Sequence, residues 1–216
     1  MPIRKTIFEN GRFYHIYNRS IQNIPIFSEP RQCEVFLDLL KFYNQSDSPG
    51  RFSLHKNVND KIFPKKGEPI VNVINYCLIP NHFHLTLLQK KDSGITMFMQ
   101  RVLNSFSHFY NIKFQNIGPL FQSSFKSVEI DSIEQLVHLS RYIHLNPVTA
   151  GIVENPENYV YSSYKEYIGL DKSDFIDPKP ILSEFGSIEK YRKFVMLQKD
   201  YQRDLNKIKK IILEKL

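Results

Sequence analysis

The stretch Val71–Leu88, VNVINYCLIPNHFHLTLL, decides the fold. Val71 to Ile79 is an apolar run of strand length, Pro80-Asn81 breaks it, and His82 to Leu88 makes a second strand. A short connection between two such runs predicts an antiparallel pair. Outward from this pair the signals alternate. Upstream, GRFYHIYNR (11–19) alternates as a first strand. Ser28-Glu29-Pro30 then opens a helix, with Ser28 as the cap and Pro30 in the first turn. Val35, Phe36, Leu39, Leu40 and Tyr43 form its apolar stripe, and it ends near Asn44-Gln45. Residues 51–69 read as a hairpin or loop. Downstream, Ser93-Gly94 begins a helix carrying Ile95, Phe98, Met99, Val102, Leu103, Phe106 and Phe109 at helical spacing. Turn residues at Asn116–Pro119 end it. Phe125 to Ile130 is the last strand. A further helix starts at Asp131-Ser132 and is expected to stop at Asn146-Pro147, because the residue before a proline disfavours helical geometry.

The order strand, helix, strand, strand, helix, strand is the ferredoxin-like split βαβ pattern. The expected fold is α+β: an antiparallel sheet with helices on one face and a basic, partly helical C-terminal extension. The expected division is a catalytic domain over 8–153 and an extension over 154–216.

The chain has 216 residues, 42% of them hydrophobic, which is enough for a core. Its net charge of +7 favours a polyanionic partner. From Glu189 to Leu216 there are nine Lys/Arg against four Asp/Glu, a surplus that suits either a nucleic-acid arm or a solvated helix. Two cysteines, Cys33 and Cys77, exclude a disulfide framework and a cysteine zinc site, and read as buried apolar residues in a reducing compartment. The N-terminus shows no signal-peptide core, and no run reaches the roughly 18 apolar residues of a membrane span. The expected location is the cytoplasm.

Three constellations can carry chemistry. In Asn81-His82-Phe83-His84-Leu85, strand alternation puts His82 and His84 on one face, where two imidazoles can hold a divalent metal. Such a pair is also common as ordinary structure. In RYIHLNP (141–147), helical spacing puts Tyr142 and Asn146 on one face. The amide oxygen of Asn146 can complete a His/His/Asn site for Mg2+ or Mn2+. The plain alternative is a core tyrosine and an asparagine C-cap. Together the segments propose attack by the Tyr142 hydroxyl on a phosphodiester polarised by the metal. The phenol needs a base, and His138, one turn earlier, is the candidate. The third set is basic and aromatic: Tyr14, Tyr17, Asn18 and Arg19, then Phe121, Gln122, Phe125 and Lys126, with Arg101 and Arg141 on helices. Such groups suit phosphates and unpaired bases.

Asn81–Leu85, Gly118–Gln122 with Phe125-Lys126, RYIHLNPVTAGIV (141–153) and YSSYKEY (161–167) follow one another in an order that resembles the HUH-type single-tyrosine transposases, in particular the REP-associated branch. The resemblance covers about residues 8–170. It implies a ferredoxin-like core, with His82 and His84 as metal ligands, Asn146 as the third ligand and Tyr142 as nucleophile. It further implies cleavage and rejoining of single-stranded DNA near hairpins through a 5′-phosphotyrosine, with no nucleotide cofactor, and either a monomer or a homodimer. This chain has Asn18-Arg19-Ser20 where the family often has Asn-Arg-Gly, and a longer 51–69 segment. Tyr110 is a rival nucleophile. The competing functional reading is a non-cleaving protein that binds DNA or structured RNA.

Overall fold

A computed structural model describes residues 7–47, 50, 52 and 67–199. Most of the 51–69 segment and the tail from 200 onward lie outside the described residues, so the expectations for them are not addressed. The elements are β1 (Phe13–Arg19), α1 (Pro30–Tyr43), β2 (Val71–Ile79), β3 (His82–Gln89), α2 (Gly94–Phe114), β4 (Lys126–Ile130), α3 (Ile133–Thr149), and the short α4 (Tyr164–Tyr167), α5 (Lys179–Leu182) and α6 (Ile188–Met196). The four strands form one antiparallel sheet in the order β2-β3-β1-β4, the ferredoxin-like arrangement.

Register between the two central strands is set at both ends. Ser20 donates to the Asn81 carbonyl at 2.9 Å, and Gln89 donates to the Arg12 carbonyl at 3.1 Å. Gly11 also donates to Gln89 at 2.8 Å, so Gly11 and Arg12 together face Gln89. This is a glycine bulge, and Gly11 has the positive φ of 79° that it requires.

The chain divides into two compact units. The first draws on Met1–Asn72, Pro80–Phe83 and Leu87–Glu129. Its core is aromatic. Phe36 of α1 meets Phe83 and Phe106 with ring centroids 5.1 Å apart in each case, and Phe27 stacks on Phe106 at 5.2 Å. Each such side chain contributes about 1.5–3 kcal/mol by burial. α1 and α2 pack together, and Tyr43 Oη lies 2.7 Å from Ser105 Oγ. The first helix is capped one residue later than expected. Glu29 is the N-cap, in a reciprocal capping box with Gln32, while the Ser28 hydroxyl donates to Pro25. At the start of α2 a Cβ on Gly94 would lie 2.5 Å from the Ile70 carbonyl oxygen, so only glycine fits that approach.

The second unit draws on Val73–Ile79, His84–Thr86 and Ile130–Leu216. Ile143 of α3 packs with Cys77, Ile79 and Tyr159. The chain beyond α3 returns to the β2 edge. Cys77 pairs with Ser162 in antiparallel sense and Val73 with Ile176 in parallel sense. Tyr159 and Tyr167 donate their hydroxyls to the Leu78 and Ile74 carbonyls at 2.6 and 3.0 Å. These contacts satisfy backbone groups that an edge strand would otherwise present to solvent.

α3 does not stop before Pro147. It runs to Thr149 with Pro147 inside it. Proline removes one hydrogen bond, the one to the Ile143 carbonyl, but every residue from Ile143 to Val148 is buried, and that packing outweighs the lost bond. The actual stop is Gly151, at φ 73°. Gly151 donates to Val148 at 3.0 Å and Ile152 to Pro147 at 2.9 Å, the paired bonds of a Schellman ending. Asn146 is therefore an interior helical residue and not a C-cap.

Candidate active site

Alternation along β3 sends successive side chains to different helices. Phe83 meets Phe36 on α1, whereas His84 meets Tyr142 on α3. The His84 and Tyr142 rings stand edge to face, with centroids 5.6 Å apart and planes at 84°. His84 is buried, while Tyr142 is 42% exposed, an orientation that leaves the phenol accessible to a large substrate. Asn146, one helical turn after Tyr142 and on its face, is 7% exposed.

His82 opens the same strand. Its Nδ1 lies 2.6 Å from Asn81 Oδ1. An amide oxygen only accepts, so the proton sits on Nδ1 and the lone pair on Nε2, the tautomer in which imidazole ligates metals. Asn81 is turned this way because its own NH2 donates to Asn23 Oδ1 at 3.4 Å. Among the described residues no group of three or more His, Cys, Asp or Glu could hold a metal ion. A metal bound through the histidine pair must therefore recruit another donor type. Imidazole nitrogens and an amide oxygen are donor types that a divalent ion such as Mn2+ or Mg2+ accepts.

The base candidate His138 is exposed on α3. Arg141 Nη2 lies 2.8 Å from His138 Nδ1. A guanidinium can only donate, so His138 Nδ1 is the acceptor of this exposed contact. Tyr110 is excluded as the nucleophile. It is buried at 8% exposure against Phe106 and Phe114, and burial raises its pKa.

The expected nucleic-acid contacts divide. Tyr14 is fully buried, its hydroxyl accepts from the Glu9 N–H at 2.9 Å, and its ring meets Phe8 edge-on, so no base can stack on it. Phe121 is core against Phe83 and Phe106, and Phe125 is buried beside Phe8. Asn18 is buried, and its amide donates to the Ser123 and Ser124 carbonyls, which pins that loop to β1. Arg101 donates to the Gln45 carbonyl at 3.1 Å, and Gln122 to Ser20 at 3.2 Å. Tyr17 is partly buried and stacked on His15. Arg19 and Lys126 are exposed, and the register puts Arg19 across from His82. Arg141 lies over the Phe194 ring at 4.2 Å. The exposed cations Arg19 and Lys126 remain candidates for phosphate contacts; Tyr14, Asn18, Phe121 and Phe125 serve the fold.

Sequence reading missed the role of His144. It is fully buried, with Nδ1 2.7 Å from Tyr191 Oη and Nε2 2.9 Å from Ser163 Oγ. Burial lowers its pKa to about 3 and raises that of Tyr191. The apolar period of α3 includes no signal for it, and its partners lie 19 and 47 residues downstream.

No protein-family model matches this chain, and no curated protein does. A solved structure of a REP-associated tyrosine transposase bound to a REP hairpin does match, with a TM-score of 0.55 at 12% sequence identity, over 82% of this chain and 97% of that one. The likeness defines the class of fold: an α+β sheet and its helices arranged as in that protein. No helix among the described residues is long and apolar enough to cross a membrane.

Proposed function

We propose that the protein is a metal-dependent, single-strand DNA endonuclease and strand-transferase of the tyrosine HUH kind, acting near DNA hairpins. The observation that carries this reading is the exposed Tyr142 phenol set against the His84 ring, with Asn146 one turn away on the same helix face. The fold likeness supports it, since the similar protein is a tyrosine transposase holding a hairpin.

In this reading the Tyr142 oxygen attacks phosphorus. The P–O3′ bond breaks, a 5′-phosphotyrosine forms, and the 3′-hydroxyl is released. The phenolic proton leaves to a general base, and the departing O3′ takes up a proton as the P–O3′ bond breaks. In the reverse sense, a 3′-hydroxyl attacks the phosphotyrosine and rejoins the strand, so the bond energy is conserved without a nucleotide cofactor. His82, His84 and Asn146 are the residues that would hold the divalent ion, which when bound supplies charge stabilisation to the phosphoryl oxygens. Arg19 and Lys126 supply phosphate contacts.

The test is incubation of the full chain with a labelled hairpin oligonucleotide carrying a single-stranded flank, with Mn2+ and with EDTA. A covalent protein–DNA band that needs the metal supports the reading. Hairpin binding with no adduct under any metal refutes cleavage and favours the binding protein.

A further inference from the structure

His144 lies two residues from both Tyr142 and Asn146, and a two-residue step on a helix turns through about 200°. It therefore points away from the face that carries them. The polar atoms it joins form one continuous hydrogen-bonded chain. The Tyr76 N–H donates to Ser163 Oγ at 2.9 Å, the Ser163 hydroxyl is within reach of the Tyr76 carbonyl at 3.3 Å, and Ser163 Oγ lies 2.9 Å from His144 Nε2. His144 Nδ1 lies 2.7 Å from Tyr191 Oη, Tyr191 Oη lies 3.0 Å from Ser140 Oγ, and the Ser140 hydroxyl donates to the Val137 carbonyl at 2.8 Å. The chain runs from β2 through α3 to α6 and back into α3. The imidazole is walled by Tyr164, Tyr167 and Tyr191, with ring centroids 5.4, 4.7 and 6.0 Å away.

Hydrophobic packing alone tolerates small rotations of a helix about its axis. A directional chain of buried hydrogen bonds does not, because each displaced member leaves a buried polar atom unsatisfied. We propose that His144 is a positioning residue: with Ser163, Tyr191 and Ser140 it fixes the rotation of α3 and thereby the aim of Tyr142 and Asn146. The inference rests on the nucleophile assignment under Proposed function. Its chemical consequence follows from the steepness of reactivity with geometry, where a misplacement of about 1 Å costs about 100-fold.

Tyr191→Phe removes the oxygen that links His144 to Ser140 and keeps the ring packing. In the full chain, well below its Tm, the rate constant of adduct formation at saturating hairpin should fall about 10- to 100-fold, while hairpin Kd stays within about 3-fold. His144→Gln, whose amide has one donor and one acceptor to offer the same partners, should retain more rate than His144→Leu. Rate and Kd that decline together with the folded fraction would reduce the network to a stabilising role and overturn the proposal. Hydrogen exchange of the Tyr142–Asn146 amides supplies a second readout that needs no cleavage. These amides should exchange at least 10-fold faster in Tyr191→Phe, and unchanged protection would sink the proposal. If wild type forms no adduct while Tyr191→Phe still loses this protection, the function is refuted and the positioning role stands. Should Tyr191→Phe not fold, Ser140→Ala breaks the same chain one bond further along and is read in the same way.

Discussion

Acidification should unfold this protein through its buried neutral histidines. In the folded state burial holds His144 at a pKa of about 3, against 6.5 for an unperturbed side chain. Because the folded value is depressed, the unfolded chain binds the extra proton. The stabilisation is complete above pH 6.5 and is lost as pH falls from there towards 3. At pH 5 the unfolded state has gained nearly a full proton from this residue and the folded state almost none, so His144 alone removes about 2 kcal/mol relative to pH 8. His15, lowered to about 4 by burial on β1, acts in the same window, but it is partly exposed, so its share is discounted for solvent screening. The chain contains no tryptophan, so urea unfolding is best followed by far-UV circular dichroism. Wild type should lose stability steadily between pH 7 and pH 5. In His144→Gln the baseline stability is lower, and the slope below pH 6 should be shallower by about 1.4 kcal/mol per pH unit, one proton's worth. Equal slopes in the two proteins would show that His144 is not held neutral in the fold.

Other expectations follow from single contacts. Gly151→Ala forces a side chain into the left-handed ending of α3 and should cost about 1–2 kcal/mol in urea unfolding; an unchanged midpoint would deny the Schellman ending its role. Tyr159→Phe removes the buried hydroxyl that holds the Leu78 carbonyl and should cost about 1–2 kcal/mol in the same assay. His82→Ala should abolish metal-supported cleavage with little change in Tm, since the ring is only half-buried; activity that survives both this change and EDTA would remove the metal from the mechanism.

The course of the sheet was legible because its signals are local. The apolar run of β2, the Pro80-Asn81 break and the alternation of β3 each follow from a few adjacent residues, and α1 and α2 follow from an uninterrupted 3.6-residue period. Where local chemistry competed with tertiary packing, the reading went astray. Pro147 is a valid helix-breaking signal, overridden by the burial of its neighbours. Ser28 is a valid cap residue, displaced by the reciprocal Glu29–Gln32 pair. Alternation showed that Tyr14 and Phe121 each face one side of a strand, but not that the side is core. Spacing places His82 and His84 on one strand face and Tyr142 and Asn146 on one helix face, whereas the contact between His84 and Tyr142 is tertiary and has no local signal. The His144 network was not legible either, since Tyr191 lies in a segment whose sequence reads as a charged helix and Ser163 in one that reads as a loop. Period and composition say nothing about pairings across such distances.

The most direct test of the central claim compares wild type with Tyr142→Phe on a labelled hairpin oligonucleotide in Mn2+, resolved on a denaturing gel. Only the phenolic oxygen is removed and the edge-to-face contact with His84 is retained, so hairpin binding and Tm should be unchanged. The account predicts a covalent band in wild type and none in the variant. A variant that still forms the band would contradict it, because the nucleophile would then be another residue.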